Sequence, residues 1–322
     1  MTINSWGTFL VGAETAYGTV LSTLAGSVNG LRLINKPVPT IDADNNDLDA
    51  TMFHGQFGPA DEGKPGQISF STDVEFNVRP EGANTVAPSW GPIMRAASFS
   101  ETTADSATTY APITSSQESC CIQINHGATL QQQILGNITE TLTFSGEAGK
   151  PIVASASLRG LYANRTDAGA DANVEDAYHD SRYPIMTSGT MTVDTISETS
   201  LLVHSFTCTI ENTYATVGSL AAAYGINSFQ ITDQKISVEI VFNAVSVATW
   251  LTMTKYLAGT AFAWFLQIGA AQSYVKFSGN AKHLTPQLSI DEERLVETAN
   301  LVCVPTAGNL NDHFKLELGT PA

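Results

Sequence analysis

The sequence predicts a mainly β protein: two tandem copies of a β-sandwich or half-barrel, each with a flanking α-helix. Three observations predict it: period-two alternation of apolar and polar residues, ordered matches between the two halves, and hairpin turns placed alike in both. The chain has 322 residues, 43% of them apolar, which is length for two domains at roughly 150 residues each.

The alternation is clearest at Ile68-Ser69-Phe70-Ser71-Thr72-Asp73-Val74-Glu75-Phe76 and at Ile236-Ser237-Val238-Glu239-Ile240. Period two places one set of side chains on one face, the mark of a half-buried strand. Helices are expected next, over Trp90–Ser98 after Pro88 and over Val247–Ala258, where Gly259 supplies a stop. In the second, Trp250, Met253 and Leu257 fall at spacings of three and four, a stripe that reads as core packing. Strands follow at Cys121–Asn125 and Phe262–Ile268. Each half then carries a hairpin: Ile138–Phe144 to Ile152–Leu161 through Gly146–Pro151, and Gln287–Ile290 to Leu295–Val304 through Asp291–Arg294.

The repeat is read from five matches in order. Glu14–Val20 resembles Glu211–Val217, and Asn29–Ile34 resembles Asn227–Thr232. Phe76-Asn77 matches Phe242-Asn243, Gln123-Ile124 matches Gln267-Ile268, and Gly136-Asn137 matches Gly279-Asn280. The copies span 8–165 and 201–318, so the chain divides into 1–165, an acidic linker and connecting strand over 166–200, and 201–322. The first copy carries two insertions: a loop from Pro37 to Gln67, rich in Pro, Gly, Asn and Asp, and the Ser/Thr-rich stretch Ser98–Ser119.

Charge narrows the function. Fifteen basic against 31 acidic residues give −16, and charged residues are only 14% of the chain. Wrapping of nucleic acid needs clustered Lys and Arg, which this chain lacks. So low a charge density suits a chain that hides surface in an assembly. Cys120, Cys121, Cys208 and Cys303 form no CxxC pair and read as buried free thiols. The longest apolar stretch, Leu257–Ala271, is too short to span a bilayer. No catalytic motif occurs, and no cofactor or metal is expected. Asp42-Ala43-Asp44-Asn45-Asn46-Asp47-Leu48-Asp49 starts like a calcium loop, but Asp47 stands where the turn needs Gly and Phe53 where it needs Glu.

Several stretches together resemble the tail tube proteins of long-tailed bacteriophages. They are Gly12–Thr19, Thr143–Pro151 leading into Ile152–Tyr162, Gly225–Ile231, Ala258-Gly259-Thr260 and Asn311–Leu316. The resemblance implies a structural virion protein, made in the host cytoplasm and placed in the tail, and no enzyme. Its partners would be itself, other tail proteins at the tube ends, and genomic DNA passing without specific binding; no membrane is involved. In that family a small β-sandwich with a flanking helix packs into rings, and rings stack into a hollow tube. The usual ring has six subunits, so a chain with two copies would fill it with three; six chains with an elaborated second half is the alternative. Three chains bring 48 net negative charges to a ring. A bore lined by carboxylates repels phosphate, within about 8 Å at physiological salt. The resemblance also implies that the long loop touches the next ring, with Asp42, Asp44, Asp47, Asp49, Phe53 and Phe57 as the contact residues. A non-polymerising tail ring and a carbohydrate- or receptor-binding β-sandwich are the alternatives.

Overall fold

Apolar–polar alternation forms strands here because burying one face requires every backbone N–H and C=O in the strand to find a ladder partner. A computed structural model describes residues 7–19, 24, 29–46, 64–80, 87–104, 107–126, 130–167, 185–186, 189–193, 196–197, 202–222, 225–244, 252–270, 273–284, 286–291, 294–306 and 311–319. The first half contains β1 (Gly7–Ala13), β2 (Thr40–Asn46), β3 (Lys64–Asn77), the helix α1 (Gly91–Ala96), β4 (Phe99–Ala104), β5 (Ala107–Pro112), β6 (Cys120–His126), β7 (Leu130–Glu147) and β8 (Val153–Asp167). The second contains β9 (Thr190–Val193), β10 (Ile196–Ser197), β11 (Val203–Gly218), β12 (Ile226–Asn243) and the helix α2 (Thr252–Ala258). It ends with β13 (Phe262–Ala270), β14 (Ser273–His283), β15 (Gln287–Asp291), β16 (Arg294–Cys303) and β17 (Phe314–Gly319).

All strands belong to one antiparallel network folded into two layers. In the first half the ladder runs β2-β3-β8-β7; in the second it runs β11-β12-β16-β15. β7 then pairs with β11, so the two ladders form one continuous sheet. The other layer is built from β1-β6 and the first part of β7, and from β9-β13-β14-β17, which β5 and β4 extend. β7 and β8 are long enough to serve both layers. β7 turns the corner at Gly136, whose φ of 61° lies in the left-handed region, beside a register shift between Leu135 and Ile138.

The matched pairs differ in what they occupy. Phe76-Asn77 lies opposite Ala154 and Val153, and Phe242-Asn243 lies opposite Glu297 and Val296, so these positions correspond in ladder and register. Gln123 opposite Gln133 corresponds to Gln267 opposite Lys276. The earlier two matches do not correspond. Glu14 sits in the turn after β1, whereas Glu211 lies inside β11; Asn29–Ile34 is irregular, whereas Asn227–Thr232 is within β12. The strand that lies on β13 as β1 lies on β6 is β9, inside the segment expected to hold a linker and connecting strand.

Other expectations are revised too. The Pro37–Gln67 loop holds β2 and the start of β3, because its polar residues alternate along an edge hairpin. The Ser98–Ser119 insertion holds the β4–β5 hairpin, which reaches across to β17. Of the expected linker and connecting strand over 166–200, residues 168–184 lie outside the described residues, as do Trp6 and Trp250. Met253 and Leu257 of α2 are exposed, not core. Trp90 and Trp264 are buried, as are all four cysteines, which are free. Burial pushes the Cys303 thiol up to about 12.

The halves share one core. Trp90 stands 5.9 Å from Phe76 and 6.3 Å from Phe144; Phe144 stands 5.3 Å from Phe277, which reaches Phe206 at 4.9 Å. This chain of rings crosses from first half to second without a break. Phe277→Ala opens a cavity at the crossing and should remove about 3–5 kcal/mol of stability. Urea denaturation should keep a single transition at lower midpoint; two transitions would show independent cores.

Candidate functional site

The chemistry of this molecule lies in strand edges. An edge strand exposes N–H and C=O groups that template pairing with another strand. Where the halves meet, that need is met inside the chain: Glu211, Thr209, Thr207 and Ser205 of β11 lie opposite Thr141, Thr143, Ser145 and Glu147 of β7.

A clasp of polar groups fixes this seam. The buried carboxylate of Glu14 accepts hydrogen bonds from the backbone N–H of Gly18 at 2.8 Å, from that of Gly136 at 2.8 Å and from the Ser119 hydroxyl at 2.5 Å. The Tyr17 hydroxyl donates to the Gly136 carbonyl at 2.7 Å and accepts from the Phe229 N–H of β12 at 2.9 Å. A Cβ on Gly136 would meet the Tyr17 ring at 2.7 Å, so glycine is needed there for space as well as for φ. Gln117 binds Ile231 twice, donating to its carbonyl at 2.8 Å and accepting its N–H at 3.1 Å. The end of α1 is held likewise: the Ala97 carbonyl accepts from Gln234 Nε2 at 2.8 Å and from Asn212 Nδ2 at 3.4 Å. Beneath the clasp Ile138, Ile226, Phe229 and Ile231 form a small apolar cluster with Tyr17, Leu161 and Tyr214.

Within the continuous sheet two edges stay open. Among the described residues β2 pairs only with β3, and β15 only with β16. Their apolar side chains are exposed: Ile41 at 60%, Leu288 at 66% and Ile290 at 78%. By register Leu288 corresponds to Phe144, which is fully buried where β7 is flanked by β11 and packs against Phe277.

The outer face of the continuous sheet is a carpet of short polar side chains. Thr141, Thr143, Ser145, Ser155, Ser157, Thr207, Thr209 and Ser237 lie side by side on it by register. Asp73, Glu75, Glu147, Glu211 and Glu239 share that face. Two of its cations are engaged: Lys235 faces Glu211 at 3.7 Å, and Arg159 binds Asp42 at 2.7 Å as well as Glu140. Burial alone would lower the Arg159 pKa, but its two carboxylate partners outweigh burial and raise it. The carpet is hollowed by a depression of about 420 Å³ lined by Thr207, Thr209, Lys235, Ser237 and Glu239 among others.

Of the contact residues expected from sequence, Asp42 is the Arg159 partner on β2, and Asp44 lies on β2 at a register irregularity between Ala43 and Asn45. Asp47, Asp49, Phe53 and Phe57 lie outside the described residues. Sequence reasoning missed the open edge of β15, because Leu288 and Ile290 alternating with Ser289 read as any half-buried strand. It also missed the roles of Tyr17 and Gln117, which depend on contacts more than a hundred residues away. Among the described residues no group of His, Cys, Asp and Glu is arranged to hold a metal, and no helix is long and apolar enough to cross a membrane.

A family model described as "Phage tail tube protein" matches residues 7–305. The match covers nearly the whole chain, and the chain belongs to that family of structural phage tail proteins. No curated protein matches it. Gly12–Thr19, one of the stretches that carried the resemblance, contains the Glu14–Tyr17 clasp.

Tyr17→Phe should leave the Phe229 N–H and the Gly136 carbonyl without their partner and lower stability by about 1–3 kcal/mol, read by chemical denaturation. Burial raises the Tyr17 pKa, so the folded state keeps a proton that the unfolded chain gives up. That contribution is complete below about pH 10 and is lost as pH rises further. The alkaline loss of stability should be shallower in Tyr17→Phe.

Proposed function

We propose that three copies of this chain close into a ring of pseudo-sixfold symmetry, and that rings stack into the hollow tail tube through which DNA leaves the virion. The observation that carries this reading is the β7–β11 seam. It joins two four-strand ladders of the same order and leaves outer edges, β2 and β15, of the kinds already joined inside the chain. An internal duplication accounts for this likeness: the first copy is 8–165, and the second reaches back beyond the expected 201–318 to take in β9 (Thr190–Val193) as its first strand. Head-to-tail pairing of like edges generates a closed ring when the rotation fits.

Each chain contributes the eight strands β2, β3, β8, β7, β11, β12, β16 and β15. Three chains make a barrel of 24, about 115 Å around at roughly 4.8 Å per strand and wider once the strands tilt. The core side of the sheet carries the second layer, so the hydroxyl-carpeted face turns to the bore. Short Ser and Thr side chains offer DNA no cationic grip, and Asp73, Glu75 and Glu239 repel its phosphates over the screening length. The segment 47–63 leaves the barrel edge between β2 and β3 and docks on the next ring, with Phe53 and Phe57 as apolar anchors; Asp42 stays behind on Arg159. Other tail proteins cap the two tube ends by the same axial surfaces.

Negative-stain microscopy of the purified chain tests this. Rings with a central hole and threefold averages, stacking into tubes, are expected; particles without an axial hole, or rings of six chains, would overturn it. Deleting residues 47–60 should leave rings but abolish tubes, and tubes of normal length would remove the loop from the stacking contact.

A further inference from the structure

Resting on the ring reading, we propose that the seam between chains differs chemically from the seam within a chain: the α2 and β15 surface of one copy seats the β2–β3 hairpin of the next copy through apolar contacts, with Gln287 opposite Thr40.

The register comes from the internal seam. Thr143 lies opposite Thr209 there. Thr143 pairs with Ser155 on β8 as Gln287 pairs with Thr298 on β16, and Thr209 pairs with Ser237 on β12 as Thr40 pairs with Ser71 on β3. Carrying both ends across sets Gln287 against Thr40. Leu288 then faces Pro39, and Ile290 faces Pro37. Pro37 and Pro39 have no N–H, so this edge accepts but does not donate at those positions. Two β2 edges are therefore poor partners for each other, whereas β15 brings the N–H groups of Leu288 and Ile290.

The helices show the same contrast. α1 is followed by the left-handed Ser98 (φ 67°) and α2 by the left-handed Gly259 (φ 60°), and superposing these two aligns the buried Ala96 with Leu257, exposed at 76%. Within the chain, the end of α1 is gripped by Asn212 and Gln234, which lie opposite each other. The corresponding pair on the first hairpin is Ala43 opposite Ile68, which has no side-chain polar group. An apolar helix face with Leu257 and Met253 meets an apolar hairpin face with Ile41, Ala43 and Ile68. Polar groups specify the seam that forms inside one chain; apolar area holds the seam that must form between chains.

Thr40→Cys combined with Gln287→Cys tests the register, since directly opposite residues hold their Cβ atoms about 4.5–5.5 Å apart. The native cysteines are all buried and do not compete. Oxidation of the assembled double variant should give a reducible ladder of two and three chains on a denaturing gel, and neither single variant should give it. Asp42→Cys with Gln287→Cys, two residues out of register, should cross-link at least tenfold more slowly. If tubes are visible by microscopy and the Thr40–Gln287 pair does not cross-link, this seam is wrong and the ring reading survives. If the ladder forms and no ring with an axial hole appears, the seam stands and the ring reading fails. Leu257→Asp with Ile290→Asp alters only exposed positions, so circular dichroism and melting should match the parent while the protein sediments as a monomer; assembly at the parent's concentration would overturn the apolar seam.

Discussion

An unpaired strand edge cannot be left in a closed structure, and the pairing of β7 with β11 is where this chain meets that constraint. Without it the first ladder would end on β7 and the second on β11, two exposed rows of backbone polar groups at the centre of the molecule. With it the two ladders become one sheet, Phe144 acquires a roof from Phe277, and a single core runs through both halves. The open edges at β2 and β15 follow from the same arithmetic of strands. Joining two like units once satisfies one pair of edges and displaces the other pair to the ends.

The clasp around Glu14 explains how so long a sheet keeps its register. A buried carboxylate is costly unless its lone pairs are occupied, and here donors from Gly18, Ser119 and Gly136 occupy them. That fixes the turn after β1 against the bend in β7. Tyr17, standing on the same turn, then reaches β12 and ties the second half to the bend. Such bonds are directional, so a slip by one residue would break several together.

Much of the fold was legible from residue order. The alternation at Ile68–Phe76, the turn residues after Phe144 and the glycine after α2 act locally, and local rules recover them. What the sequence hid is long-range. Glu14–Val20 and Glu211–Val217 share letters but not structure, because a Thr/Tyr-rich run serves equally in a turn held by a carboxylate and in an extended strand. The stripe of α2 reads as core because periodicity reports that a face is apolar and not what covers it. In one chain Leu257 is bare. The candidate contact residues were the least legible: Asp42, chosen as part of a loop, is a strand residue whose partner Arg159 lies 117 positions away.

The same difference in letters has a consequence for assembly. The clasp needs a carboxylate in a turn, a tyrosine three residues on and a left-handed glycine at the facing bend. The first half supplies all of these to the seam inside the chain. The run whose letters match, Glu211–Val217, forms no second clasp: it lies in β11 on the internal seam, with Glu211 beside Lys235 and Tyr214 packed against Phe229. A seam inside one polypeptide forms at high effective concentration and benefits from bonds that specify it. A seam between chains begins with a loss of translational freedom, which nondirectional burial of Leu257, Leu288 and Ile290 is suited to offset. In the proposed ring the chain boundaries would therefore rest on apolar burial more than on polar specification.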